Sequence, residues 1–111
     1  MTNKIVVLVT CGSVKQAQQI GRALVERKLA ACANILRAPV QSIYRWKGKV
    51  DVATEVLLIL KSSRLHFVAI DHAIRKMHSY DVPEIIVLPI AAGSRNYLDW
   101  ISRSVSRGER P

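Results

Sequence analysis

Aromatic side chains are scarce in this sequence, with one Phe, two Trp and three Tyr among 111 residues. Its core must therefore come from Val, Ile, Leu and Ala, which favours packed helices and sheets. Cysteine is scarcer still. Cys11 and Cys32 are the only two, they do not form a Cys-x-x-Cys pair, and a chain of this length folds without a disulfide, so a reducing compartment, the cytoplasm, is expected. No apolar run approaches the length of a bilayer-crossing helix, and Ile5 to Val9 is too short for the core of a secretory signal. There is no glycine-rich phosphate cradle, and no nucleophile and base stand in a recognisable pattern, so catalysis is not expected. Repeats and low-complexity segments are absent.

Acid is also short. Asp and Glu number 8 against 17 Lys and Arg, a formal net charge of +9. That balance admits a nucleic acid, an anionic small molecule or an acidic membrane surface as partner, or simply a solvated basic surface. An RNA-recognition module stacks bases on aromatics of its central strands, and neither Lys4 to Cys11 nor Val50 to Lys61 contains one, which argues against nucleic acid. The stretch Thr10-Cys11-Gly12-Ser13-Val14 lacks the arginine of a phosphate-binding catalytic loop.

What is present predicts one domain over residues 1–111, with a flexible tail from about 106 to 111. Lys4 to Cys11 is a continuous β-branched run, a buried strand ended by Gly12. Ser13 and Gln16 form a capping box for a helix to about Lys28, with Ala17, Ile20 and Leu24 as its stripe. Ala31 to Trp46 is extended, bent at Pro39, and turns through Trp46-Lys47-Gly48-Lys49 into a third strand from Val50 to Lys61. Ser62 or Ser63 should cap a second helix striped by Phe67, Ile70, Ile74 and Met77 and ending near His78. Glu84 to Ile90 is a fourth strand, and a short helix carrying Tyr97, Leu98, Ile101 and Val105 closes the chain. The class is α+β: a βαββαβ order of the ferredoxin-like type, with a long hairpin, an extra C-terminal helix and an antiparallel sheet in spatial order 4-1-3-2.

Three strands are apolar at every position: Ile5 to Val9, Val56 to Leu60 and Ile85 to Leu88. A sheet with one wet face would alternate, so both faces need cover. The helices supply one layer. Other copies of the chain are the simplest second layer, and a homo-oligomer is expected.

The topology brings Cys11, His78 and Glu84 to one end of the sheet, with Glu55 in the nearer half of its strand. Thiolate, imidazole and carboxylate together suit copper or zinc, although Cys11 as a core residue and His78 as a helix-end cation are the plainer readings. Cys32 opens its strand at the opposite end. His66, His72 and His78 are six residues apart, which spreads them around a helix instead of stacking them.

Several separated segments, taken together, resemble the CutA divalent-cation tolerance family. They are Leu29-Ala30-Ala31-Cys32-Ala33-Asn34, Tyr44-Arg45-Trp46-Lys47-Gly48, Glu55 with Lys61, His78-Ser79-Tyr80-Asp81-Val82-Pro83-Glu84, and Tyr97-Leu98-Asp99-Trp100. The resemblance implies a homotrimer joined through the long hairpin, built like the PII signalling proteins, with a role in tolerance of copper and other divalent metal ions and no catalytic activity. Copper-binding members carry a cysteine at the position of Val9 and adjacent histidines at the positions of Met77 and His78. Here only His78 remains, and Cys11, on the same strand face as Val9, and the Met77 thioether are candidate replacements. The expected metal ligands are thus His78, Cys11 and Glu84. Cys32, Tyr44, Trp46, Glu55, Lys61, Met77, Tyr97 and Trp100 are expected to line a cleft between subunits. The alternative implied by PII kinship is a signalling module that holds a small anionic ligand in that cleft through Lys61.

Overall fold

A computed structural model describes residues 2–105 of the chain; the tail expected over 106–111 lies outside them. The element order is β1 (Lys4–Cys11), α1 (Val14–Glu26), β2 (Cys32–Trp46), β3 (Lys49–Ser63), a 3₁₀ turn (Arg64–His66), α2 (Phe67–Met77), β4 (Ile85–Pro89) and α3 (Arg95–Ser104). One antiparallel sheet runs in the order β2-β3-β1-β4, which is the order the crossovers require.

Strand alternation sorts the sheet into two faces. On the covered face Ile5, Val7, Val9 and Cys11 of β1 and Val56, Leu58 and Leu60 of β3 are buried against Ala17, Ile20 and Leu24 of α1 and Ile70, Ala73 and Ile74 of α2. The contact is close. A Cβ at Gly21 would lie 3.0 Å from the Ala33 Cβ, so this glycine is what lets α1 settle onto β2 and β3.

The opposite face is the one the apolar runs left unexplained. Val6, Leu8, Leu57 and Ile59 are only partly buried there, and Leu36, Ile86 and Leu88 stay exposed. Among the described residues, that face keeps a partly exposed apolar surface.

β2 and β3 continue past the sheet. β1 stops pairing at Cys11 opposite Val56, so the segment from Lys49 to Glu55 has only β2 beside it, and a register shift between Leu36 and Val40 brackets Pro39. Lys47 and Gly48 both have positive φ, 51° and 79°, the conformation of a two-residue turn whose twist matches its strands. This ribbon draws the subunit out to 43 × 30 × 24 Å, and the radius of gyration of 14.5 Å exceeds the about 13 Å typical of a compact chain this long.

Three local expectations need correction. Ser13 caps α1 by accepting a hydrogen bond from the Gln16 N–H at 3.1 Å, but Gln16 does not reach back, and its side-chain oxygen accepts from Ser79 Oγ at 3.4 Å instead. The helix itself ends at Glu26, not Lys28. Neither Ser62 nor Ser63 caps α2: both belong to β3, and the buried Ser62 hydroxyl donates to the Leu29 carbonyl at 2.6 Å. Strand pairing with β1 carries β3 through both serines before the chain can turn.

Candidate functional site

His78 follows the last residue of α2 as its C-cap, and its backbone N–H donates to the Ile74 carbonyl. Its ring is buried and fully engaged. Nδ1 accepts from the Tyr80 N–H at 3.1 Å, and Nε2 lies 2.7 Å from the Thr10 carbonyl oxygen. A carbonyl can only accept, so Nε2 carries the ring proton. The imidazole thereby ties the end of α2 to the end of β1.

Two residues on, Tyr80 tilts its ring against His78, 4.6 Å between centroids, and its hydroxyl donates to Glu55 Oε2 at 2.9 Å. Glu55 sits in β3 beyond the last β1 pairing, yet is only 7% exposed. Burial, then the hydrogen bond and charge of Glu55, push the Tyr80 phenol up to about 12. Cys11 is wholly buried, and burial first and the Glu55 charge second push its thiol up to about 11. It remains a thiol at neutral pH.

These shifts predict an alkaline weakness. Both groups hold their protons more tightly folded than unfolded, so their contribution is complete below the ordinary cysteine value of 9.0 and is lost as pH rises through about 11 to about 12. Denaturant midpoints should drop across that window. A Cys11→Ala, Tyr80→Phe double variant should show a shallower fall; an equally steep one would assign the loss to other groups.

In front of Glu55 opens a cavity of about 600 Å³ lined by Thr10, Ser42, Ile43, Tyr44, Trp46, Glu55, Tyr80, Asp81, Val82 and Glu84. It lies where the hairpin leaves the sheet. Among the described residues the only ion pairs are Arg22 with Glu26 and Arg75 with Asp71, so the three cavity carboxylates have no cationic partner.

The residues singled out from sequence fall into two groups. Tyr44, Trp46, Glu55 and Glu84 line the cavity; Cys11 lies behind it under the influence of Glu55, and His78 reaches it through Tyr80. Met77, at the end of α2, is 38% exposed. The second group gathers around Lys61, six residues along β3 and thus about 20 Å away. There the Lys61 ammonium donates to the Asn34 side-chain oxygen and lies 4.0 Å from Cys32 Sγ. Burial, then the charge of and hydrogen bond with Cys32, raise the Tyr97 phenol, and Tyr97 packs on Trp100 at 5.4 Å. Among the described residues no three His, Cys, Asp or Glu side chains gather closely enough to hold a metal ion.

Tyr80, Asp81 and the Thr10 carbonyl are participants that sequence reasoning passed over. Strand parity offered one signal, since Thr10 and Glu55 both belong to the open-face positions of their strands. The Tyr80–Glu55 bond joins residues 25 apart and left no local trace.

The family profile described as CutA1 divalent ion tolerance protein matches residues 5–104. The divalent-cation tolerance protein CutA of Thermus thermophilus is 47% identical over 96 residues, 86% of this chain and 92% of that protein. Protein CutA of Mus musculus is 42% identical over 93 residues, 84% of this chain, which spans only 52% of the longer mouse protein. Among solved structures, the Thermus thermophilus divalent cation tolerance protein superposes with a TM-score of 0.90 at 44% identity, covering 93% of this chain and 99% of that one. The Archaeoglobus fulgidus structure, described as a periplasmic divalent cation tolerance protein, gives 0.89 at 37% identity, with coverages of 93% and 99%.

Proposed function

The chain belongs to the CutA1 divalent ion tolerance family, and from that premise we propose that it is a non-catalytic, cytoplasmic homotrimer that binds divalent metal ions, copper among them. What supports this reading is that Cys11, His78, Glu55 and Glu84 all lie toward one end of the sheet, although they do not gather into a metal-holding group within the described residues of one subunit, and that the outer face of the sheet carries exposed apolar residues that a second copy would cover. Thiol, imidazole and carboxylate are donors suited to a soft or borderline ion. His78, Cys11 and Glu84 are the ligand set of this reading, with the Met77 thioether as an additional donor to Cu⁺.

Binding would require two local releases. Cys11 must give up its proton, and His78 must free one of its two engaged nitrogens. Metal affinity should therefore rise with pH and be accompanied by proton release. No helix of the described residues is long and apolar enough to cross a membrane.

Calorimetric titration with Cu²⁺, and with Cu⁺ under anaerobic conditions, tests the reading. Wild-type protein should bind one ion per subunit, and His78→Ala and Cys11→Ser should each bind at least about tenfold more weakly, the loss of a single strong ligand. Wild-type affinity in both variants would remove these residues from the site.

The second reading, a PII-like module for a small anion, has one specific support. Among the described residues Lys61 is hydrogen-bonded to the Asn34 side-chain oxygen and Cys32 Sγ and has no carboxylate partner.

A further inference from the structure

We propose that the cavity at the base of the hairpin binds an aliphatic polyamine, with one ammonium on Glu55 and its methylene stem against Tyr44 and Trp46. The starting point is Glu55, a carboxylate more than nine-tenths buried that lines the cavity and receives one hydrogen bond, from Tyr80. A buried carboxylate is costly unless a cation accompanies it. No Lys or Arg among the described residues of this basic chain pairs with it. Among the described residues Glu55 thus faces the cavity with a phenol as its partner and no cation beside it, which leaves room for a cation brought by a ligand.

Two features decide what kind of cation fits. The carboxylates of Glu55, Asp81 and Glu84 share one cavity but do not gather into a metal-holding group. A cation with charges spaced along a chain matches such separated carboxylates better than a point charge. The cavity, about 600 Å³, is of a size that suits a small organic molecule. Its Tyr44, Trp46 and Tyr80 walls offer apolar contact to methylenes and π-faces to ammonium groups. The inference shares Glu84 with the metal reading but does not rest on it, and failure of metal binding would leave it standing.

The test is titration of the intact, chelator-treated protein with spermidine, followed by calorimetry and tryptophan fluorescence, with 1,4-butanediol and Mg²⁺ as controls. Spermidine should bind and the diol should not. Glu55→Gln, which keeps an acceptor for the Tyr80 hydroxyl, and Trp46→Leu should each weaken binding at least about tenfold, with oligomer mass unchanged. Absence of spermidine binding, unchanged affinity in both variants, or equal competition by Mg²⁺ would overturn the proposal. So would a fall in oligomer mass in Glu55→Gln, because the cation facing Glu55 would then belong to a neighbouring copy. Should Glu55→Gln fail to fold by circular dichroism, Asp81→Asn combined with Glu84→Gln decides: weakened spermidine binding supports the proposal and unchanged binding overturns it.

Discussion

Ile59→Asp is expected to leave a folded protein that runs as a monomer in size-exclusion chromatography with light scattering. Ile59 lies in β3 between Leu8 of β1 and Asn34 of β2, near the centre of the uncovered face. Its side chain points away from α1 and α2, so the substitution does not enter the core they cover. In an oligomer the same position is covered by another copy. Burying an unpaired carboxylate there costs several kcal/mol per site, and the apolar contribution of Ile59, up to about 1.5–3 kcal/mol for a fully buried side chain, is lost as well. Both terms recur at every subunit contact, so dissociation should dominate over any local adjustment. Far-UV circular dichroism should stay close to wild type. An unchanged oligomer mass would mean that the copies meet through another surface, leaving the hairpin as the first alternative.

The second large effect is expected at Leu58, one residue away and on the other face. Leu58 is wholly buried, pairs with Val9 of β1 and Ile35 of β2, and lies where α1 approaches most closely, its Cδ1 3.4 Å from the position a Cβ on Gly21 would take. Leu58→Ala removes transfer free energy and leaves a void between rigid layers, a combination that costs about 2–5 kcal/mol. Denaturant midpoints at fixed protein concentration would measure it. A loss below about 1 kcal/mol would show that α1 settles into the gap, which the close seat of Gly21 argues against. Adjacent residues of one strand thus separate the two contributions: Leu58 holds the subunit together, and Ile59 is expected to hold subunits to one another.

That contrast was partly readable in the chain. The uninterrupted run Val56 to Leu60 signalled a strand apolar on both sides, and the Lys47-Gly48 turn, the bend at Pro39 and the strand order followed from local chemistry and crossover handedness. The serine caps of α2 were misread because Ser62 and Ser63 look the same as a helix start and as the polar end of a strand; pairing with Lys4 and Ile5, almost 60 residues earlier, decides between them. The placement of Cys11, His78, Glu55 and Glu84 at one end was also legible, since it depends only on which way each strand runs. What the sequence could not convey is how their hydrogen-bonding capacity is used. The Thr10 carbonyl that occupies His78 and the Tyr80 hydroxyl that holds Glu55 are matters of tertiary distance, and the cavity exists only because the hairpin departs from the sheet at that point.

The departing hairpin also bears on how the chain acquires its structure. β2 and β3 are joined by two turn residues and need no other element to find their register, whereas β1 must wait for partners as distant as Ser63 and Pro89. Local pairing precedes distant pairing because less chain entropy is lost in closing the loop. Contact order thus favours early pairing of the ribbon, whose Ile43, Val50 and Val52 are exposed in the folded subunit, and unpaired strand edges with apolar residues are where strands of different molecules associate wrongly. Arg45, Lys47 and Lys49 stand among those apolar residues at its tip, and like charges brought edge to edge repel. The basic tip thus sets like charges beside the exposed apolar residues of the ribbon, an arrangement that disfavours edge-to-edge pairing of two chains.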